Sequence, residues 1–213
     1  MRLLLIVLVS VSMVFSQYRD IPDVVTKVST TAFSWLRIET GARATGMSGA
    51  YVAAGEGLNG IPYNPASITY IRNIEGFYSE SNYLAGMTHD IRSFGLRLGN
   101  YGYIGAHLFT LVTSWVYSSS WEGSVIFKEI SEAFRITYGC SLMDRLKLGL
   151  SVNYISDANL SSRKHLVAYD VGSHFDTGIH GFRLGMSITN FGTDVQLDST
   201  MKAPLPLMPR RAP

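Results

Sequence analysis

Strict alternation of apolar with small or polar residues constrains this chain most. The stretch RLKLGLSVNYIS at 145–156 places Leu, Leu, Leu, Val and Tyr at every second position, with Lys, Gly, Ser and Asn between them. The same pattern runs through 132–143, 165–176 and 181–190. Successive side chains of a strand point to opposite faces of a sheet, so alternation over 8–12 residues predicts strands with one apolar face.

Two settings produce this pattern, and strand length separates them. A water-soluble β-sandwich turns its apolar faces inward and uses strands of about five or six residues. A transmembrane barrel turns the apolar face toward lipid, keeps a polar lumen, and needs strands of about 9–11 residues. The segments here have the longer length. The sequence therefore predicts an all-β fold, a transmembrane antiparallel β-barrel.

The spacing of the turns supports the same prediction. Tight turns at 99–100, 143–145 and 177–181 alternate with longer links at 113–131 and 156–163, as outer-membrane barrels alternate short turns with long loops. Several aromatic residues lie near the strand ends, either as an aromatic girdle at the membrane interface or at positions unrelated to a membrane. They are Tyr101, Tyr103, Trp115, Tyr117 and Trp121. We expect strands near 74–83, 88–98, 101–112, 132–143, 145–156, 164–177 and 181–191.

The composition excludes several other classes of protein. Charged residues make up only 16% of the chain, against about 25% in soluble domains, while Gly numbers 20 and Tyr 12. Cys140 is the only cysteine, so neither a disulfide framework nor a cysteine metal cluster is available. The net charge of +2, with scattered basic residues, gives no indication of nucleic-acid binding.

The first 16 residues predict a secretory signal peptide. Arg2 precedes an apolar run from residue 3 to 15, and Val14-Phe15-Ser16 forms a small-residue cleavage site before Gln17. The apolar run is too short to span a membrane as a helix, and beyond it no stretch of about 18 apolar residues occurs. We therefore expect export, and location in the cell outer membrane.

A glycine pattern at 55–60 raises a competing prediction. GEGLNG fits G-x-G-x-x-G, the loop that holds a dinucleotide pyrophosphate at a helix N-terminus. However, Pro62 and Pro65 follow at once, and proline disfavours the long helix that such a site needs. We expect residues 55–68 to form an irregular, partly buried segment without a regular helix at Gly57, and to bind no nucleotide or other cofactor.

Residues 32–68 resemble the N-terminal signature of the PorV/PorQ family, relatives of the FadL outer-membrane transporters. The resemblance rests on the apolar stretch 33–38, on GARA at 41–44, on GMSGAYVA at 46–53 and on NPA at 64–66. DVGSHF at 170–175 and FRLGMSITNFG at 182–192 are similar to that family's middle strands. The chain departs from the family in Gly55-Glu56-Gly57 before NPA, although Tyr63 keeps the usual aromatic residue.

The resemblance implies a hatch in the barrel lumen. Its motif residues are Gly41, Ala42, Arg43, Gly46, Met47, Gly49, Ala50, Asn64, Pro65 and Ala66. It implies a signal peptide at 1–16, a hatch-like segment at 17–73, barrel strands at 74–192, and at 193–213 a loop leading to a missing C-terminal half. Bacterial single-chain barrels have even strand numbers, so about seven strands leave the sheet unclosed. The resemblance implies that they are roughly half of a fourteen-stranded barrel.

The resemblance also implies two functions that the sequence leaves open. One is hatch-gated transport of hydrophobic molecules. The other is a structural or cargo-docking role in type IX secretion, with secreted proteins as partners. An apolar pocket inside the hatch would favour transport, whereas a closed lumen with exposed loop aromatics at Trp115 and Trp121 would favour docking. Outer-membrane lipid is the expected surrounding of both.

Polar residues on the predicted lumen side are the other candidates for function. They are Arg135, Lys147, Asn153, Asp170, His174, Asp176 and Arg183. Such residues pair across neighbouring strands or line a substrate path. His174, His180 and Asp176 give only a weak indication of a metal, because His180 falls in a predicted turn. No nucleophile, base and orienting group stand together in the sequence, so we do not expect an enzyme.

Overall fold

A computed structural model describes residues 31–38, 40–47, 50–83, 86–119, 123–159, 162–196 and 202–212 of the chain. The predicted signal peptide, Gly49 and Trp121 lie outside these described residues. The described part belongs to one compact unit, Thr31–Pro213. The strands are β1 Ile74–Asn82, β2 Thr88–Arg97, β3 Tyr103–Ser119, β4 Gly123–Met143, β5 Leu146–Asn159, β6 Ser162–Asp176, β7 Arg183–Gly192, β8 Val195–Gln196, β9 Lys202–Ala203 and β10 Met208–Ala212.

Eight of these strands form one antiparallel sheet. Its order is β1-β2-β3-β4-β5-β6-β7-β10, so each of the first seven strands pairs with its neighbour in sequence. β8 and β9 form a separate two-stranded pair. The sheet is open, with β1 and β10 at its edges. The expectation of an all-β fold with an unclosed sheet is therefore confirmed.

All seven predicted long strands are present, but two predicted links are wrong. β3 and β4 continue as a paired hairpin from Tyr103↔Gly139 to Ser119↔Gly123, across most of the link expected at 113–131. β5 and β6 likewise pair as far as Asn159↔Ser162. Residues such as TSWVYSS and SVIF are rich in β-branched and aromatic side chains, which favour strands, and pairing satisfies their backbone groups. Within 193–213, expected as a loop, β10 adds an eighth strand.

The two faces of the sheet differ sharply in burial. Along β5, Leu150, Val152 and Tyr154 are exposed, whereas Gly149, Ser151 and Asn153 between them are buried. We call these the exposed face and the covered face. The exposed face is largely apolar across β4 to β7; its other members include Phe134, Ile136, Tyr138, Val167, Tyr169, Val171, Phe175 and Met186.

The covered face is buried under residues 31–71, which we call the N-terminal segment. It contains the short α-helix Ala42–Gly46 and the 3-10 helices Ser34–Arg37, Leu58–Gly60 and Pro65–Tyr70. The last begins with Pro65 in its first turn, where the missing N–H is tolerated, and the Asn64 side chain caps it. As expected, no regular α-helix begins at Gly57, and residues 55–68 are irregular and largely buried.

Within the described residues, none of the helices is both long and apolar enough to cross a membrane.

Candidate functional site

A band of glycines crosses the covered face of the sheet. Each strand from β2 to β7 contributes one residue to this glycine band, whose members are Gly95, Gly105, Gly139, Gly149, Gly172 and Gly185. Gly95 faces Gly105 across β2 and β3, and Gly149 faces both Gly139 and Gly172. The absence of side chains along this line leaves a trough in the sheet surface.

The N-terminal segment lies in this trough at van der Waals distance. A Cβ on Gly185 would lie 2.5 Å from the Val52 carbonyl oxygen, and one on Gly95 would lie 2.7 Å from Leu58 Cδ2. A Cβ on Gly149 would overlap the backbone between Pro65 and Ala66. Such separations are below any real carbon contact, so only glycine permits this approach. Leu58, Ala66 and Ile68 are consequently fully buried.

Asn64 is the polar anchor of the N-terminal segment on the glycine band. Its Nδ2 donates to the carbonyl of Val52 at 2.9 Å and to that of Ser173 at 3.0 Å. Its Oδ1 accepts from the Ala66 N–H at 3.1 Å. A Cβ on Gly172 would overlap this same Oδ1. Asn64 is fully buried, and its three hydrogen bonds join the two halves of the segment to strand β6.

Further hydrogen bonds attach the N-terminal segment to the strands on either side. His174 Nε2 donates to the Val52 carbonyl at 2.7 Å, and Ser187 Oγ donates to the Tyr63 carbonyl at 2.6 Å. At the other edge, the Leu58 N–H donates to Glu75 Oε1 of β1 at 2.9 Å. Since β1, β6 and β7 all contribute, the segment spans the width of the sheet.

A buried charged network lies beside the glycine band. Arg135 Nε is 3.1 Å from Asp170 Oδ2 and also donates to Asn153 Oδ1. Asn153 Nδ2 donates to Asp170 Oδ2 at 2.8 Å, and the Asn190 N–H donates to Asp170 Oδ1 at 2.7 Å. The Arg135 guanidinium also stacks over the Phe109 ring at 4.9 Å. This buried carboxylate therefore accepts hydrogen bonds from Asn153 of β5 and Asn190 of β7, and forms an ion pair with Arg135 of β4.

A second charged cluster surrounds Tyr70. Lys147 Nζ lies 3.3 Å from the centre of the Tyr70 ring, and the Arg183 guanidinium carbon lies 4.5 Å from it. Arg183 also forms an ion pair with Glu56 at 3.0 Å. Burial raises the pKa of the Tyr70 hydroxyl, while nearby Arg183 opposes that rise. Tyr70 therefore stays a neutral phenol at physiological pH and acts as an aromatic surface for the two cations.

Residues 32–38, which we call the arm, cover the part of the sheet beyond the charged network. The Ala32 N–H donates to the Pro204 carbonyl at 3.0 Å. Tyr63 exchanges two hydrogen bonds with the Thr40 backbone, at 2.8 and 3.1 Å. Between the arm and the sheet is a cavity of about 30 Å³. Its lining includes Trp35, Leu36, Ile38, Phe109, Arg135, Asn153, Asn190, Met208 and Arg210.

The structure places the predicted polar residues on one face and brings five of the seven into these two clusters. All seven lie on the covered face. Arg135, Asn153 and Asp170 meet in the buried network, whereas Lys147 and Arg183 meet at Tyr70. His174 donates to the Val52 carbonyl of the N-terminal segment, and the described residues contain no group of three or more His, Cys, Asp or Glu side chains that could hold a metal ion. Asp176 lies at the end of β6, where its carboxylate accepts from the Gly178 N–H at 2.9 Å.

The predicted family motif divides into two parts of different character. Asn64, Pro65 and Ala66 are fully buried on the glycine band. By contrast, most of GARATGM forms a short helix with exposed residues; these are Ala42, Arg43, Gly46 and Met47, followed by Ala50. Gly41 has φ of 83°, in the left-handed region that favours glycine, immediately before that helix. The structure therefore gives NPA a direct role in attaching the segment.

The glycine band is the feature that the sequence left unrecognised. Its signal was present, because each predicted strand from β2 to β7 carries a glycine among the polar-side positions. Seeing that these glycines align requires the register of the strands, and the alternation pattern alone does not set that register. The contacts of Tyr63, Tyr70 and Glu56 were likewise not apparent from spacing.

Comparison with known proteins gives no independent assignment of family. No protein-family model matches the sequence, and a search of curated proteins finds no match. The likeness of residues 32–68 to the PorV/PorQ signature therefore stays a prediction drawn from the residues themselves.

Proposed function

We propose that the sheet forms part of the wall of a β-barrel in the bacterial outer membrane. The supporting observation is the polarity of its two faces. Leu150 and Val171 are 56% and 53% exposed, whereas Arg135 and Asp170 on the other face are 7% and 1% exposed. A sheet in water favours the opposite arrangement, because apolar surface is stabilised by burial and charged groups by hydration. A lipid-facing sheet favours the arrangement seen here.

The strand lengths and the open edges fit this proposal. β3 to β6 have 17, 21, 14 and 15 residues, more than the 9–11 that a tilted membrane strand needs. Backbone groups in lipid must be paired, so a barrel would require partners for the free edges of β1 and β10. On this proposal those edges are joined by further strands of a larger barrel.

Within such a barrel we assign the N-terminal segment the role of a hatch, in the manner of PorV/PorQ and FadL-like proteins. It covers the polar face that would line the lumen, and it is attached by Asn64 and the glycine band. The neighbouring cavity has a partly apolar lining, from Trp35, Leu36, Ile38, Phe109 and Met208. On this proposal the hatch gates the passage of hydrophobic molecules, because the N-terminal segment lies over the face that would line the lumen.

Docking of secreted cargo in type IX secretion is the alternative function. Its distinguishing feature would be aromatic side chains displayed at the tip of the β3–β4 hairpin. The side chain of Trp115 and the whole of Trp121 lie outside the described residues, so no contact recommends this role over transport. Transport is therefore the function that we propose.

Location can be tested separately from transport. Expressed in a bacterial host with an outer membrane, the chain should fractionate with that membrane and begin at Gln17 on N-terminal sequencing. Recovery from the soluble cytoplasm with Met1 retained would contradict the membrane proposal. The control is the same chain without residues 1–16, which should stay in the cytoplasm.

Transport can be tested by uptake of a hydrophobic fluorescent dye into vesicles that contain the purified protein. We expect uptake to rise in Asn64→Ala, which loosens the hatch, and to stay unchanged in the control Asn73→Ala, whose side chain is exposed. If both variants and the unmodified protein matched protein-free vesicles, transport would be contradicted, while the membrane assignment would stand.

A further inference from the structure

The β3–β4 hairpin extends beyond the strands on both sides of it. β2 pairs with β3 only as far as Val112, and β5 pairs with β4 only from Glu132 onward. Past these points, residues 113–119 and 123–129 pair with each other, and no other described strand pairs with them. We call this two-stranded part the ribbon. An isolated two-stranded ribbon is only marginally stable in water, so a further strand paired with it would stabilise it.

The two edges of the ribbon differ in charge. A free edge presents a row of unpaired N–H and C=O groups, and natural proteins protect such edges with charged residues, lysine above all. The β4 edge of the ribbon carries Lys128 and Glu129. The β3 edge, TSWVYSS at 113–119, carries no charged residue. The β3 edge is therefore the one open to pairing with another strand.

The sequence of the β3 edge is nearly symmetric about Val116, and this symmetry indicates which strand would pair with it. Residues of the same type lie at equal distances on either side of Val116; they are Trp115 with Tyr117, Ser114 with Ser118, and Thr113 with Ser119. Two copies that pair antiparallel about a two-fold axis bring such matched positions opposite each other. Aromatic pairs and Ser/Thr pairs are favourable cross-strand neighbours. A second copy of this strand therefore suits the edge at each position.

We propose that two copies of this chain associate through the free β3 edge of the ribbon, antiparallel and centred on Val116. Such a contact uses the same surface of both copies, so it closes as a dimer. The outer edges of the resulting four-stranded sheet are the β4 edges, where Lys128 and Glu129 oppose the addition of further copies. This association goes beyond the proposed transport function, and it does not depend on whether the sheet spans a membrane.

Disulfide formation between two copies tests the proposal. Val116→Cys is introduced together with Cys140→Ser, because Cys140 is the only cysteine of the chain. At the centre of the proposed pairing, the two Cα atoms of residue 116 would be about 4.5–5.5 Å apart, within the range that a disulfide spans. Mild oxidation of the purified protein in a non-ionic detergent should therefore convert most of this variant into a covalent dimer. A variant that stays monomeric on oxidation would overturn the proposal.

Two further cysteine variants in the same background are matched controls. Ile126→Cys lies on β4 directly opposite Val116, so the two copies of residue 126 would be three strand spacings apart, about 14 Å. Ser114→Cys would face Ser118 of the second copy, which also leaves its own counterpart about 14 Å away. Both separations are too long for a disulfide. Cross-linking of either control as fast as Val116→Cys would show a different pairing or random collision, and would contradict the proposal.

The mass of the parent protein in detergent keeps the test decisive if a cysteine variant fails to fold. Light scattering should give two chains per particle. Val116→Lys would place two positive charges opposite each other and should raise the dissociation constant of the dimer at least about tenfold, whereas Ile126→Lys on β4 should not. A monomeric parent, an assembly that grows beyond two chains, or equal effects of the two lysine substitutions would each refute pairing through the β3 edge.

Discussion

The two faces of the sheet differ in the contacts that their side chains make. On the covered face, the glycines contact the N-terminal segment. Its charged and polar side chains bind each other and that segment. On the exposed face, by contrast, Ile136, Leu150 and Val152 are each about half exposed, and the ion pair between Asp90 and Arg92 lies at the surface. An ordered polar interior with an apolar exterior is the arrangement on which our membrane proposal rests.

This difference implies that substitutions on the two faces should destabilise the protein for different reasons. On the covered face, a change removes a partner or adds volume where none is available, so its cost should not depend on the solvent. On the exposed face, a change should matter only when lipid surrounds the sheet. The following substitutions test this distinction, in order of decreasing expected effect.

Removal of the buried carboxylate should have the largest effect. Asp170→Asn leaves the Arg135 guanidinium buried without its counter-charge, which costs about 3–5 kcal/mol of unfolding free energy. Asp90→Asn is the control, because Asp90 pairs with an exposed Arg92 at 3.8 Å and such pairs contribute at most about 1 kcal/mol. Urea unfolding of both variants measures the difference. Equal losses would contradict a special role for the buried network.

Introduction of charge on the exposed face should have the next largest effect. Leu150→Arg should cost about 2–4 kcal/mol when the protein is folded into lipid vesicles, as for arginine near the middle of a bilayer. Leu142→Arg lies near the turn end of β4, where a membrane interface would be, and should cost at most about 1 kcal/mol. A penalty at Leu150 no larger than that at Leu142 would argue against lipid contact.

Addition of one methyl group to the glycine band should come next. The new methyl of Gly172→Ala would overlap Asn64 Oδ1, so we expect destabilisation of about 2–3 kcal/mol in detergent and in lipid alike. Gly76→Ala in β1 has no heavy atom near the added carbon and should be nearly neutral. Urea midpoints that shift equally in the two variants would show that the segment does not lie on the glycine band.

Loss of the Asn64 side chain should have the smallest effect of the four, about 1–3 kcal/mol. Asn64→Ala removes three hydrogen bonds together with the side-chain amide that makes them. The cost comes from the Val52 and Ser173 carbonyls and the Ala66 N–H, which lose this partner. Faster tryptic cleavage at Arg72 would report release of the segment, with exposed Asn73→Ala as the control. Unchanged cleavage in Asn64→Ala would show that Asn64 is not the anchor.

The alternation of residue types was sufficient to predict the strands and the two faces. Leu150 and Ser151 fall on opposite faces because a strand has a period of two, whatever its neighbours are. The extent of the β3–β4 hairpin was not predictable in the same way. The end of the clear alternation predicts a long link at 113–131, whereas pairing of Ser119 with Gly123 satisfies the backbone there.

The candidate site depended on contacts that no local pattern encodes. Asn64 was recognised within its motif, but its partners lie 12 residues away at Val52 and 109 residues away at Ser173. The alignment of Gly149 with Gly172 depends on strand register, and the position of the N-terminal segment depends on that alignment. Long-range packing therefore determines the partners of Asn64 and the position of the N-terminal segment, which sequence spacing alone does not give.

Direct observation of lipid next to the exposed face tests the central claim most directly. With methyl-labelled protein in micelles or nanodiscs, nuclear Overhauser effects from acyl-chain protons should reach Leu150, Val152 and Val171. They should not reach the methyls of Ile155, which is fully buried on the covered face of the same strand as Leu150. Acyl-chain contacts at Ile155, or water contacts in place of acyl contacts at Leu150 and Val171, would contradict the account.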